Sequence, residues 1–278
     1  MSEVDSHLPM SSMSGNTPAE IAQNKRKRKR EKEKTNKRTA ENPKVPKLET
    51  DHGRISNSSS KPWEPKKPAK PETINESIAN MDPNLIADYI SRQLRRFEKE
   101  ISAVELEDRS VSTGSFLDTT SYGKERTLEN LPEFLETFSN GKQLNTTSQT
   151  PGAPHTIIVT AAALRATDLA RSVKKFQTKD SMVAKLFAKH IKLSESIDLC
   201  RSTRIGLGVG TPARLLALIL EGSLKLDYVD TVVLDMSGVN EKQQGIFDIR
   251  ETHKDVLDLL NTPLVKSRLD GKMKLLAY

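Results

Sequence analysis

Apolar side chains follow two rhythms along this chain, and the change falls near residue 155. Between Asp82 and Val104 they recur at Leu85, Ile86, Tyr89, Ile90, Leu94, Phe97, Ile101 and Val104, the three-to-four spacing of an amphipathic helix. Asp82 followed by Pro83 supplies an N-cap and a first-turn proline for it. Arg92, Arg95 and Arg96 fall on the opposite face. Leu131, Phe134, Leu135 and Phe138 predict a second amphipathic helix over Leu128–Phe138, and the polar stretch Lys142–Pro154 predicts a loop.

Beyond His155 short β-branched runs alternate with helical spacing. Thr156–Thr160, Arg204–Val209 and Thr231–Asp235 are expected to be buried strands, and Met273–Ala277 a fourth. Helices are expected over Ala161–Phe176, Met182–His190, Glu195–Ser202, Pro212–Glu221 (stopped by Gly222) and Ile246–Leu260. Strands alternating with helices predict an α/β fold, a parallel sheet with helices on both faces. No internal repeat is visible.

Residues 1–71 hold 8 of the 14 prolines and one of the 12 aromatics, Trp63. So little apolar surface cannot offset the entropy of ordering the backbone, so this part is expected to be a disordered tail. Lys61–Pro71 reads as an extended linker within it. Three regions follow: the tail 1–71, a helical segment 72–150 packing on the core, and an α/β domain 151–278. Their charges differ: 17 basic against 9 acidic side chains in the tail, 8 against 14 in the middle, and 19 against 14 in the last part. Two basic zones split by an acidic one favour a polyanionic partner, nucleic acid first. The run Lys25-Arg26-Lys27-Arg28-Lys29-Arg30 fits a nuclear import signal or an RNA-contacting arm. A single cysteine favours a reducing compartment. The first ten residues show no signal-peptide pattern, and no apolar stretch approaches the ~18 residues of a membrane span.

Candidate chemistry concentrates where strands end, the ligand-binding side of parallel sheets. In Gly206-Leu-Gly208-Val-Gly210-Thr211-Pro212-Ala213-Arg214, Thr211 sits at an N-cap and Pro212 at the first helical position. The helix start offers N–H groups and a positive dipole end to a phosphate, with Arg214 one turn in as a second contact. Asp235 closes the third strand, but Met236, Ser237 and Gly238 follow, so it lacks the second carboxylate that usually helps hold Mg²⁺. Arg165 follows the first strand, and Lys185, Lys189, His190 and Lys192 add positive charge. No phosphate-cradling GxxxxGK run occurs; Gly141-Lys142-Gln143 comes nearest. Five histidines and one cysteine show no metal-ligand spacing, and no Ser-His-Asp or Cys-His set stands out. No catalytic residue, metal, cofactor, membrane contact or small-molecule substrate is expected.

The order of Thr160–Ala166, Thr211-Pro212-Ala213-Arg214-Leu215 and Thr231–Asp235 resembles the first RecA-like domain of DEAD-box RNA helicases, here incomplete. The TPGRL motif of that family is matched at all but one position, and of the DEAD box only Asp235 survives. The Walker lysine is missing, and the sequence stops where the next motif would begin. Leu186–Leu193 (LFAKHIKL) together with GVGTPARL resembles, more narrowly, the Cms-one family. Its members are helicase-like proteins of the early, U3-containing small-subunit pre-ribosome (the small-subunit processome). That resemblance implies a nucleolar, non-catalytic ribosome biogenesis factor, a pseudo-helicase whose partners are pre-ribosomal RNA and proteins. RNA contacts are then expected from Thr211, Pro212, Arg214, Arg165, Lys185 and Lys189, with nuclear targeting by Lys25–Arg30. The alternative is a divergent nucleotide- or methyl-donor-binding enzyme acting on RNA and using Gly206, Gly208 and Gly210.

Overall fold

The computed structural model describes residues 73–278, which fall within one compact unit. The expectations for the tail, its Lys25–Arg30 run and the Lys61–Pro71 linker lie outside the described residues. Five short strands form the sheet: β1 (Thr156–Val159), β2 (Met182–Leu186), β3 (Ile205–Gly210), β4 (Thr231–Leu234) and β5 (Lys274–Ala277). Their spatial order is β2-β3-β1-β4-β5, and every neighbouring pair is parallel. This is the α/β sheet that the alternation of elements predicts.

Period-2 alternation divides the sheet between two cores. Ile157, Val159, Val232, Leu234 and Leu275 face one side. There they meet α1 (Pro83–Phe97), α6 (Pro212–Leu220), α7 (Arg250–Asn261) and α8 (Pro263–Leu269). Ile158, Val233 and Leu276 face the other side, against α3 (Leu131–Thr137), α4 (Ala163–Ser172) and the 3₁₀ turn Val173–Phe176. Helix α5 (Leu193–Ser202) joins β2 to β3. Each fully buried aliphatic side chain contributes about 1.5–3 kcal/mol, and nearly all of the strand positions are buried.

Helix α1 starts as its sequence dictates, with Asp82 Oδ1 accepting from the amides of Asn84 (2.8 Å) and Leu85 (3.2 Å). Its apolar stripe, Ile86, Ile90 and Leu94, is buried. Tyr89 Oη and Gln93 Nε2 donate to Asp248 Oδ1 at 2.8 and 3.0 Å, fixing the helix to the loop before α7. The apolar rhythm running on to Val104 does not continue the helix. Ser102 and Glu105 form a capping box that starts a separate helix, α2 (Ala103–Arg109), and Val104 is left 77% exposed.

Met182–His190, expected as a helix, folds otherwise. Met182–Leu186 is strand β2, paired along β3 with a register shift at Met182/Val183. A short apolar run carries no period that separates helix from strand, and here the free edge of β3 decides. The other edge, β5, is extended by Phe116, which bridges Leu275 in parallel, while the Leu117 amide donates to the Leu275 carbonyl at 2.9 Å.

Candidate functional site

The carboxyl ends of β1, β4 and β5 bring together residues far apart in sequence. Asp235, just past β4, is 2% exposed. Its Oδ2 accepts from Thr160 Oγ1 at 2.6 Å and from Arg165 Nε at 3.1 Å, and its Oδ1 accepts from Arg165 Nη2 at 3.1 Å. The Arg165 guanidinium, which the sequence marked for RNA, thus forms a two-point ion pair with Asp235. Gly238 closes over this pair, since a Cβ there would lie 2.7 and 2.9 Å from the two carboxylate oxygens and 3.0 Å from Arg165 Nε.

Next to it, residues 117–130 make a loop between the β5-paired segment and α3. This loop holds Gly123-Lys124, so the chain has a strand–loop–helix with a Gly-Lys pair at the ligand-binding end of the sheet, a feature that motif spacing did not reveal. Gly141-Lys142, the nearer motif on paper, lies at the opposite end of the strands. There Lys142 pairs with Asp230, the residue before β4. A phosphate-cradling loop needs free amides and a free lysine. Lys124 Nζ instead lies 2.6 Å from both carboxylate oxygens of Glu133, on the outside. The loop interior is filled by Arg126, which is fully buried. Its guanidinium carbon sits 4.7 Å from the Tyr122 ring centre and 4.8 Å from that of Phe134. Arg126 Nη2 donates to the Thr119 carbonyl at 2.9 Å, its backbone amide donates to Glu76, and its Nε and Nη1 have no hydrogen-bond partner among the described residues. A triphosphate and its Mg²⁺ do not fit these residues: the acid is paired, Gly238 lies against it, and a cation of the chain itself fills the loop.

The Thr211 turn is built as the sequence reads, with Thr211 at the N-cap and Pro212 at the first helical position of α6, but Thr211 makes no side-chain cap bond. The Thr211 amide donates to the Leu186 carbonyl at 3.3 Å. Arg214 does not project to solvent. It is 9% exposed, and Nη1 donates to Ser196 Oγ (2.6 Å) and the Lys192 carbonyl (3.2 Å), while Nη2 donates to the Ile191 carbonyl (3.0 Å). Asp235 is held by Arg165 and not by Arg214. Gly206, Gly208 and Gly210 lie inside β3 rather than in a cofactor loop. At Gly210 a Cβ would stand 2.3 Å from the Leu186 carbonyl oxygen and 3.0 Å from Leu215, so this glycine serves sheet and helix packing.

Lys185, Lys189, His190 and Lys192 are exposed, and Thr211 is half-buried beside them. The bonds from Thr211 to Leu186 and from Arg214 to Ile191 and Lys192 bring these residues together at the β2 edge. Arg165 is engaged elsewhere, at Asp235 past the end of β4. Burial pushes the His155 imidazole down to about 4. His155 bonds Thr156 Oγ1 (2.8 Å) and the Leu144 carbonyl (3.3 Å), a core role at the far end of β1. Among the described residues no group of three or more His, Cys, Asp or Glu side chains is arranged to hold a metal, and no helix is long and apolar enough to cross a membrane.

The model of the CMS1 family, described as "U3-containing 90S pre-ribosomal complex subunit", matches residues 15–278. Protein CMS1 of Chaetomium thermophilum is 45% identical over 202 residues, covering 72% of this chain and 80% of the relative. Protein cms1 of Schizosaccharomyces pombe is 29% identical over 209 residues, covering 74% and 73%. Protein CMSS1 of Homo sapiens is 29% identical over 212 residues, covering 75% and 68%. Among solved structures, a DEAD box protein from Methanococcus jannaschii is similar at 16% identity and a TM-score of 0.34, covering 55% of this chain and 36% of that one.

Proposed function

The chain belongs to the CMS1 family, and from that membership we propose that it acts in ribosome biogenesis as a non-catalytic, helicase-like subunit of the early small-subunit pre-ribosome, binding RNA and protein there. The observation that carries this reading is the match of the family over residues 15–278. Its relatives bear names of that family and not of enzymes.

The non-catalytic part is supported by the strand ends, where Asp235 is bound by Arg165 and Thr160 and Arg126 fills the neighbouring loop. An enzyme reading relied on Gly206, Gly208 and Gly210 as a cofactor turn, and their place inside β3 removes that support. RNA contact falls to the exposed group at the β2 edge, Lys185, Lys189 and Lys192 with Thr211, whose charges are free to neutralise phosphates. Arg214 holds this surface in shape from within, through Ile191, Lys192 and Ser196, while Arg165 is engaged by Asp235. The Lys25–Arg30 run directs the protein to the nucleus, and pre-ribosome assembly retains it in the nucleolus.

Crosslinking the protein to RNA in cells and sequencing what is bound tests the reading. Recovery of pre-ribosomal and U3 RNA above a tagged control is expected. Recovery at control level, or retention of a nucleotide or methyl donor on purification, overturns it.

A further inference from the structure

Helix α1 carries a line of cations that neither the core nor the β2-edge surface uses. Arg92, Arg95 and Arg96 are exposed and spaced i, i+3, i+4, one stripe on the face away from Ile86, Ile90 and Leu94, and exposed Lys99 follows just past the helix end. At 1.5 Å per residue its helical part, from Arg92 to Arg96, rises about 6 Å. None of the four takes part in an ion pair with the described residues. Arg96 makes only local contacts, a 3.3 Å bond to Gln93 Oε1 and an approach to the Phe97 ring. Two exposed acids flank the stripe, Asp88 one turn before Arg92 and Glu100 just after Lys99, and neither pairs with its cations. Complementing the helix dipole accounts for Arg95 and Arg96 in the last turn. It does not account for Arg92, which is further in, or for Lys99, which is beyond the end.

The stripe runs into a solvent-open hollow of about 390 Å³ whose lining includes Phe97, Ile101, Lys99, Arg109 and Arg250. Two of the acids there are already engaged: Glu98 Oε2 pairs with Arg109 Nη1 at 2.5 Å, and Glu105 Oε2 accepts from the Ser102 amide (2.9 Å) and hydroxyl (2.7 Å). Cations in line beside a recess with an aromatic wall suit an RNA strand, which offers phosphates to the first and an unpaired base to the second. An acidic protein would use the cations but leave the recess unfilled. The surface is also rigidly held, because Tyr89 and Gln93 tie α1 to Asp248.

We propose that the α1 stripe, Arg92, Arg95, Arg96 and Lys99, with the hollow at its end, is a second single-stranded RNA surface, distinct from the Lys185–Lys192 group. This rests on the reading of the protein as RNA-binding. Helix α1 packs on α7 and on the turn Thr113–Ser115 that leads into the β5 edge, whereas Lys185 lies on β2. The two surfaces therefore lie towards opposite edges of the sheet, whose edge strands β2 and β5 are four strand spacings, about 19 Å, apart, so that one RNA could be held at two points.

The test uses full-length protein with Lys25–Arg30 replaced by alanine, so that the tail does not mask the folded surfaces, and labelled oligouridine over a salt series. In that background, Arg92→Gln, Arg95→Gln and Arg96→Gln together are expected to weaken binding about tenfold or more. The salt slope should become shallower by about 0.7 for each phosphate no longer neutralised. Lys185→Gln with Lys189→Gln, made separately, reads the other surface. Weakening in both sets supports both surfaces. Weakening in the α1 set alone supports this inference and removes the β2-edge reading; weakening in the β2-edge set alone overturns the inference and leaves that reading standing. Weakening in neither overturns both. If the α1 set weakens binding of polyglutamate but not of oligouridine, the partner is an acidic protein and the inference falls. Photocrosslinking unmodified protein to 4-thiouridine RNA, followed by peptide mapping, decides the matter without any variant. A crosslink within residues 92–101 is expected, and its absence when other peptides crosslink overturns the proposal.

Discussion

Replacing Arg214 by leucine removes a guanidinium that is 9% exposed and donates to Ser196 Oγ, the Lys192 carbonyl and the Ile191 carbonyl. A hydrogen bond from a charged donor contributes about 1.5–3 kcal/mol. Ser196 is 1% exposed, so its bond counts in full. The two carbonyls lie in a partly exposed turn and recover much of what they give up from water. The expected cost is about 2–4 kcal/mol, which in a domain of this size lowers Tm by about 5–15 °C. Thermal and urea denaturation of the full-length variant measure this, with RNA affinity taken on the same preparation well below the transition. Affinity of the folded fraction should stay within about twofold, because the guanidinium faces inward. Arg214→Lys should fall between, since one ammonium cannot reach three acceptors. A leucine variant that melts normally, while its RNA affinity drops about tenfold and its salt slope falls by about 0.7, would refute this internal role. Arg214 would then be a phosphate contact after all.

No ATP hydrolysis above background is expected, with or without RNA, and Asp235→Asn should lower Tm rather than any activity. RNA-stimulated turnover that survives repurification and vanishes in Asp235→Asn would overturn the proposed non-catalytic role. Changing Lys25–Arg30 to alanine should leave the protein largely cytoplasmic with an unchanged circular dichroism spectrum, and undiminished nucleolar staining would count against a targeting role. His155 is depressed to about 4 from an ordinary 6.5, chiefly by burial, so the unfolded chain binds the extra proton. Its stabilising share is therefore complete above pH 6.5 and disappears as pH falls towards 4, by about 3 kcal/mol at most. His253 is lowered in the same direction by burial, so His155→Gln should flatten the pH–stability curve in this window only in part; a curve unchanged from the parent would refute the assignment.

Periodicity, caps and turn residues were enough to place β1, β3, β4, β5, α1 and α6, because each rests on local chemistry: a β-branched run, Asp82 before Pro83, Thr211 before Pro212. The TPARL and LFAKHIKL runs likewise pointed to the family from sequence alone. Met182–Leu186 was not legible, since five residues with no clear period take whichever form their neighbour rewards, and β3 offers an open edge. The roles of the arginines were hidden for a related reason. Arg165 and Asp235 are 70 positions apart, and Arg126 is buried among Tyr122, Phe134 and Tyr278. A guanidinium looks the same in sequence whether it meets a phosphate, a carboxylate or an aromatic ring. Which of these it meets depends on which strand ends become neighbours, and that is fixed only when the sheet assembles in the order β2-β3-β1-β4-β5.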